Sequence, residues 1–142
     1  MRSVLLDSSV YIHALRIGDP ELVSRRRLGT DTPLWLSSVV LEELLAGAKE
    51  RERHVIEAWE RDFERVRRIL VPNLSDWHHT GIMLARLAAK YGYEKVGQGK
   101  LTNDALIANS AGRLGIQIFT FNGADFRRLS EFRNFEWQIL SI

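Results

Sequence analysis

Val4-Leu5-Leu6-Asp7-Ser8-Ser9-Val10 is the stretch whose reading decides the fold. Three apolar residues in a row read as a short strand buried on both faces, the pattern of a parallel sheet. A carboxylate stands where that strand ends. In open parallel sheets, ligands and chemistry collect at the carboxyl ends of the strands. Asp7 is therefore held on a rigid element and pointed at the functional edge. An acid closing a buried strand also needs a partner to offset its desolvation. Its meaning depends on whether other segments bring acids to the same edge.

Working outward, Ser8 or Ser9 caps a short helix running to about Leu15. Gly18-Asp19-Pro20 breaks the chain, and Asp19-Pro20-Glu21 starts a second helix through Arg27, followed by a loop over Gly29-Thr30-Asp31-Thr32-Pro33. Leu34-Trp35-Leu36 is the second strand. Ser37-Ser38 then caps a helix carrying Val39, Val40, Leu41, Leu44 and Leu45, which ends near Gly47-Ala48. From Glu50 to about Arg68, Val55, Ile56, Trp59, Phe63 and Val66 share one helix face. Ile69-Leu70-Val71 makes the third strand, closed by Pro72. Ser75-Asp76 opens a helix with Trp77, Leu84, Leu87, Ala88 and Tyr91 on its buried side.

Tyr93 to Lys100 is a Gly-rich loop, and Thr102 or Asn103 caps a helix to about Leu114 with Ala105, Ala108 and Ala111 facing inward. Gly115 stops it. Ile116 to Thr120 is the fourth strand, Asn122-Gly123-Ala124-Asp125 leads into a short helix through Leu129, and Trp137 to Leu140 is the last strand. Short apolar strands alternating with helices predict an α/β fold with a parallel sheet. No repeat or linker interrupts residues 1–142, which are expected to form a single domain.

Composition narrows the function classes. A chain of 142 residues with 45% apolar and 27% charged residues is that of an ordinary globular protein. No apolar run approaches the ~20 residues needed to span a bilayer, and Asp7 interrupts the N-terminal run too early for a signal peptide. A cytoplasmic location is expected. The absence of Cys removes disulfides, thiolate zinc sites and a Cys nucleophile together. Net charge is only +2, but Arg far outnumbers Lys, with clusters at Arg25-Arg26-Arg27, Arg67-Arg68 and Arg127-Arg128. Arg suits bidentate phosphate recognition. Solvated helix faces account for such clusters equally well.

Four acids fall on this outline in a pattern. Asp7 ends the first strand, Glu43 lies in the first turns of the helix after the second strand, and Asp125 follows the fourth strand directly. Asp104 is expected in the first turn of the helix preceding the fourth strand. Singly, acids in a first helical turn are explained by capping and the helix dipole. Jointly, four carboxylates at one edge repel one another unless a cation intervenes. An oxygen-only set suits Mg²⁺ or Mn²⁺. Such an ion polarises a phosphoryl oxygen and acidifies a bound water, and one carboxylate serves as general base.

Leu6-Asp7-Ser8-Ser9-Val10-Tyr11-Ile12, Ser38 to Gly47 around Glu42-Glu43-Leu44-Leu45-Ala46-Gly47, Asn103-Asp104-Ala105-Leu106-Ile107-Ala108 and Thr120-Phe121-Asn122-Gly123-Ala124-Asp125-Phe126 carry a resemblance along nearly the whole chain. In this order they resemble the PIN-domain ribonucleases of the VapC toxin type. Asp7 matches the family's first acid, Glu43 the acid of its Glu-Leu-x-x-Gly pattern, and Asp104 and Asp125 the third and fourth. Thr120 and Asn122 match polar positions that orient the acids, and Ser8 a neighbouring hydroxyl. The resemblance implies a short five-stranded parallel sheet between helices and Mg²⁺- or Mn²⁺-dependent endonucleolytic cleavage of RNA. Asp7, Asp104 and Asp125 would hold the metal and Glu43 the attacking water. It further implies a homodimer held inactive by a cognate antitoxin protein in a groove of the early helices, lined here by Tyr11, Ile12, Leu15, Leu22, Leu44 and Leu45.

Competing readings fare less well. A phosphatase of the haloacid dehalogenase kind needs a second Asp two positions after the first, where Ser9 stands. Gly97-Gln98-Gly99-Lys100 fails the P-loop pattern, with Glu94 at its first position and Leu101 after the Lys. Lys95 and Lys100 remain available to RNA phosphates. His78-His79 point about 100° apart on a helix and make no shared metal site. The helical Trp residues sit on apolar faces, as core or dimer contacts. A PIN nuclease of RNA processing, or a non-catalytic module binding RNA or protein, are the alternatives to a toxin.

Overall fold

The computed structural model describes residues 2–23, 32–96 and 99–141. The Arg25-Arg26-Arg27 cluster, the Gly29–Asp31 part of the first loop and Gly97-Gln98 lie outside the described residues.

Five strands form one sheet: β1 (Val4–Leu6), β2 (Leu34–Ser37), β3 (Ile69–Leu70), β4 (Gln117–Thr120) and β5 (Trp137–Ile139). Their spatial order is β3-β2-β1-β4-β5, with every neighbouring pair parallel. Val4 registers with Leu34 on one side and Gln117 on the other. The chain builds outward from β1 through β2 to β3, then returns to the other side of β1 for β4 and β5. The crevice between the ends of β1 and β4 is thus the topological switch point, where open α/β sheets bind ligands. The expected α/β architecture with a short five-stranded parallel sheet is the observed one.

Helices flank this sheet: α1 (Ser8–Arg16), α2 (Ser38–Gly47), α3 (Glu50–Arg65), α4 (Leu74–Tyr91), α5 (Tyr93–Val96), α6 (Gly99–Arg113) and α7 (Ala124–Leu129), with a 3₁₀ turn over Pro20–Val23. The strands are short because few residues are needed to cross a buried layer. Leu5, Leu34, Leu36 and Ile118 are almost wholly removed from water and join the helices' inner faces in one contiguous core. Ala105, Ala108 and Ala111 are fully buried, as their spacing predicts. These small residues let α6 lie close to its neighbours α4, α2 and α7.

Several boundaries differ from expectation. The helix expected from Asp19 to Arg27 is, within the described residues, the turn Pro20–Val23. Helix α4 begins at Leu74 because Asn73 and Asp76 close a reciprocal capping box, each accepting a 2.9 Å bond from the other's backbone N–H. Asp76 is buried there and receives the Arg113 guanidinium at 3.0 Å. Trp77, expected on the buried side of α4, is instead 55% exposed beside the exposed Val71 and Leu74. The stretch from Tyr93 to Lys100, expected as one loop, supplies the short helix α5 and the first residues of α6.

Candidate active site

Asp7 stands at the end of β1 as the N-cap residue of α1, yet its side chain makes no capping hydrogen bond. The carboxylate turns instead toward β4. Thr120, the last residue of that strand, donates its hydroxyl to Asp7 Oδ2 at 2.8 Å, and Ser9 Oγ donates to the same oxygen at 3.3 Å. Thr120 Oγ1 accepts the Asn122 backbone N–H at 3.0 Å, and Ser9 Oγ accepts the Phe121 N–H at 3.2 Å. This mesh ties the end of β1 to the end of β4 and leaves Asp7 only 4% exposed. Its other oxygen, Oδ1, is buried without any hydrogen-bond partner. A buried carboxylate oxygen left unpaired is costly, and a functional site is one place where that cost persists.

Glu43 and Asp104 come from different helices but occupy equivalent positions, each the sixth residue of its helix, α2 and α6. Asp104 is therefore in the second turn, not the first as expected, because α6 starts at Gly99. Capping and the dipole, which act within the first turn, no longer explain it. Glu43 is half-buried while its neighbour Glu42 is exposed, which agrees with the choice of Glu43. Glu43 Oε1 is buried without a partner. Burial raises the Glu43 carboxyl above its ordinary range, and the Asp7 charge raises it further. The polar Asn103 side chain and the Lys100 charge pull it back.

Asp104 is 3% exposed and its carboxyl is pushed up to about 8. Burial is the main cause, followed by the negative charges of Asp7 and Glu43. Lys100 opposes them, and Asp125 adds to them. The other three sequence-predicted acids thus all act on Asp104, and Asp7 acts on Glu43 as well. Asp125, in the first turn of α7, is the outlying member. Arg128, one turn along the same helix, holds its Oδ1 at 3.3 Å.

The supporting residues sort differently. Thr120 bonds Asp7 directly, as its match to an orienting position suggests. Asn122 enters the mesh through its backbone, and its side chain is exposed. Ser8 is buried, but Ser9 carries the hydroxyl that reaches Asp7, Thr120 and Phe121. Asn103 was legible only as a helix cap. Its influence on Glu43 depends on how α6 packs against α2, which no local pattern encodes.

The donor set fits a hard divalent cation: it is oxygen-only, holds two buried carboxylate oxygens without partners, and has one carboxyl raised by burial and by its acidic neighbours. Among the described residues no three acidic or histidine side chains stand at metal-ligand spacing. A cation would have to draw the carboxylates together.

Residues 4–131 match the PIN domain family. The chain belongs to the PIN-domain family. Among solved structures, this PIN domain is similar to DNA-bound VapBC from Salmonella typhimurium, with 25% identity, a TM-score of 0.69, and 98% of each chain covered. It is also similar to VapBC-1 from nontypeable Haemophilus influenzae, at 24% identity and a TM-score of 0.63, over 96% of this chain and 97% of that one. VapBC-5 from Mycobacterium tuberculosis, of the VapBC family of toxin-antitoxin systems, matches at 22% identity and a TM-score of 0.51 over the whole of both chains. A comparison with curated proteins finds no match. The PIN assignment bears out the resemblance carried by the four sequence stretches.

Proposed function

We propose that this PIN domain is the toxin of a toxin–antitoxin pair, a divalent-metal-dependent endoribonuclease. What supports the reading is that Asp7 at the end of β1, Glu43 on α2 and Asp125 after β4 all act on the buried Asp104 of α6, so acids from four separate elements bear on one carboxyl. The toxin assignment is supported by likeness to VapBC structures over nearly the full length of both chains.

In this reading Asp7, Asp104 and Asp125 hold Mg²⁺ or Mn²⁺, which when bound polarises the scissile phosphoryl group and acidifies water. Ser9 and Thr120 fix one oxygen of Asp7 and leave the other free to bind. Glu43, whose proton affinity is raised by burial, orients the attacking water and accepts its proton. Water adds to phosphorus, the bond to the 3′-oxygen breaks, and that oxygen takes a proton. The products are a 5′-phosphate and a 3′-hydroxyl.

The antitoxin would lie on the early helices, but not on all the residues expected. Tyr11 and Leu44 are core side chains, and Ile12, Leu15, Leu22 and Leu45 are partly buried against the core. Among the described residues, open grooves run along α1, the 3₁₀ turn and α3. One, of about 460 Å³, is lined by residues including Leu15, Ile17, Arg51 and Val55. The other, of about 370 Å³, is lined by residues including Pro20, His54, Val55 and Trp59. A homodimer belongs to the same reading, with the exposed Val71, Leu74 and Trp77 as its candidate contact.

RNA cleavage by purified, partner-free protein across a Mn²⁺ titration, with Asp104→Asn alongside, tests the proposal. Expected is metal-dependent cutting that leaves 5′-phosphates and falls by at least about 10²-fold in the variant. Equal activity in both proteins, or a 2′,3′-cyclic phosphate product, would reject it.

A further inference from the structure

Lys100 is the second residue of α6 and is exposed at the surface. Two stability rules argue against a Lys there. The N-terminal turn of a helix carries partial positive charge and disfavours cations. Between residues four apart, an acid preceding a base is the favourable order, and Lys100 precedes Asp104. Among the described residues Lys100 closes no ion pair that would compensate. A residue placed against its local preferences is accounted for by what it faces.

What it faces is the acid cluster. Lys100 and Asp104 are one helical turn apart on the same face of α6, which packs against α2, the helix that carries Glu43. Asp104 is buried, and Lys100, one turn nearer the start of the helix, is exposed. Its charge acts on both Glu43 and Asp104. A polyanionic substrate approaching this edge meets repulsion from the ionised acids, and an exposed cation one turn from Asp104 offsets it.

We propose that Lys100 is a substrate-binding residue that receives a phosphate of single-stranded RNA next to the bond to be cut. The assignment rests on the ribonuclease reading above and adds to it the residue that seats the backbone. A compact, hydrated ammonium on a flexible stem suits contact with a phosphate irrespective of base.

The test is the affinity of a fluorescent single-stranded oligoribonucleotide, measured by anisotropy in EDTA at several KCl concentrations. Wild type, Lys100→Gln and Lys100→Arg are compared. One phosphate contact on a single strand contributes about 0.7 to the slope of log K against log salt. Lys100→Gln should therefore flatten the slope by about 0.7 and weaken binding roughly fivefold near 0.1 M salt. Lys100→Arg should restore both. Mn²⁺ affinity, read by thermal shift without RNA, should be kept or improved in Lys100→Gln, since a competing cation has gone. A Lys100→Gln protein with the wild-type slope and affinity overturns the assignment while leaving the nuclease reading intact. A variant that loses Mn²⁺ affinity as well as RNA makes Lys100 a support of the acid cluster and also overturns it. A wild type that neither binds nor cuts RNA overturns the ribonuclease reading and this assignment with it.

Discussion

At the scale of single residues, Asp104 concentrates the cost of the site. Its carboxyl has an ordinary value of 3.8 and is pushed to about 8 in the fold, first by burial and then by Asp7 and Glu43. Between those two values the native state holds a proton that the unfolded chain has already lost. Stability of the metal-free protein therefore falls as pH rises from about 4 to about 8, and below 4 the penalty is absent. The Glu43 shift has the same direction and adds to the slope. At about 1.4 kcal/mol for each unit of difference, the loss by pH 8 is on the order of a few kcal/mol. Asp104→Asn carries no proton to lose. In EDTA it should melt above wild type at pH 8 and approach it at pH 4. Thermal melts across that range check this, and a wild-type profile as flat as the variant's would mean that the carboxyl is not held protonated.

At the scale of elements, the turn between β4 and α7 controls where Asp125 sits. Gly123 precedes α7, and a Cβ placed there would lie 2.6 Å from the Trp137 ring and 2.9 Å from Ile139 on β5. Such contacts force a shift. Both neighbours belong to an edge strand, so the turn, the strand or both must move. Gly123→Ala should lower the melting temperature by an amount equivalent to about 1–3 kcal/mol and reduce cleavage by displacing Asp125. A variant of wild-type stability and activity would show that the turn has slack. Element scale is also where the sequence was most and least legible. Val4-Leu5-Leu6-Asp7 announced both the first strand and its acid, because a short apolar run closed at once by an acid and two serines is too short for a buried helix. The start of α6 was hidden. Asn103 looks like a cap and Gly97 to Gly99 like a break, yet the helix runs from Gly99 because its buried face packs on α4 and α2. Trp77 misled for the opposite reason. Helical spacing gave it an inner face, but the face α4 turns inward runs through Asp76, Thr80, Met83 and Leu87, and Trp77 stands about 100° round the helix from Asp76.

At the scale of the molecule, the fold gathers negative charge from elements far apart in sequence, from Asp7 to Asp125, and supplies little positive charge in return. The Asp7 mesh of Ser9 and Thr120 satisfies one oxygen and leaves its partner buried and unpaired. A cation bound here does more than fill a gap. Near neutral pH it must displace the proton held on Asp104, so metal binding and proton release are linked. Mn²⁺ binding at pH 7 should release close to one proton. Calorimetry in buffers of different ionisation enthalpy reads this as the slope of observed heat against buffer enthalpy. As pH rises through 8 the release should fade, since the carboxyl is then already ionised, and the apparent affinity should level off after tightening by up to tenfold per pH unit below that point. By the same linkage, an ion held by these acids should raise the melting temperature by removing the repulsion between them. Mn²⁺ binding with no proton released at pH 7 would place the ion elsewhere or show Asp104 to be ionised without it. Either result would separate the gathering of the acids from the binding of the ion, and would leave Asp104 as a buried acid without a metal to hold.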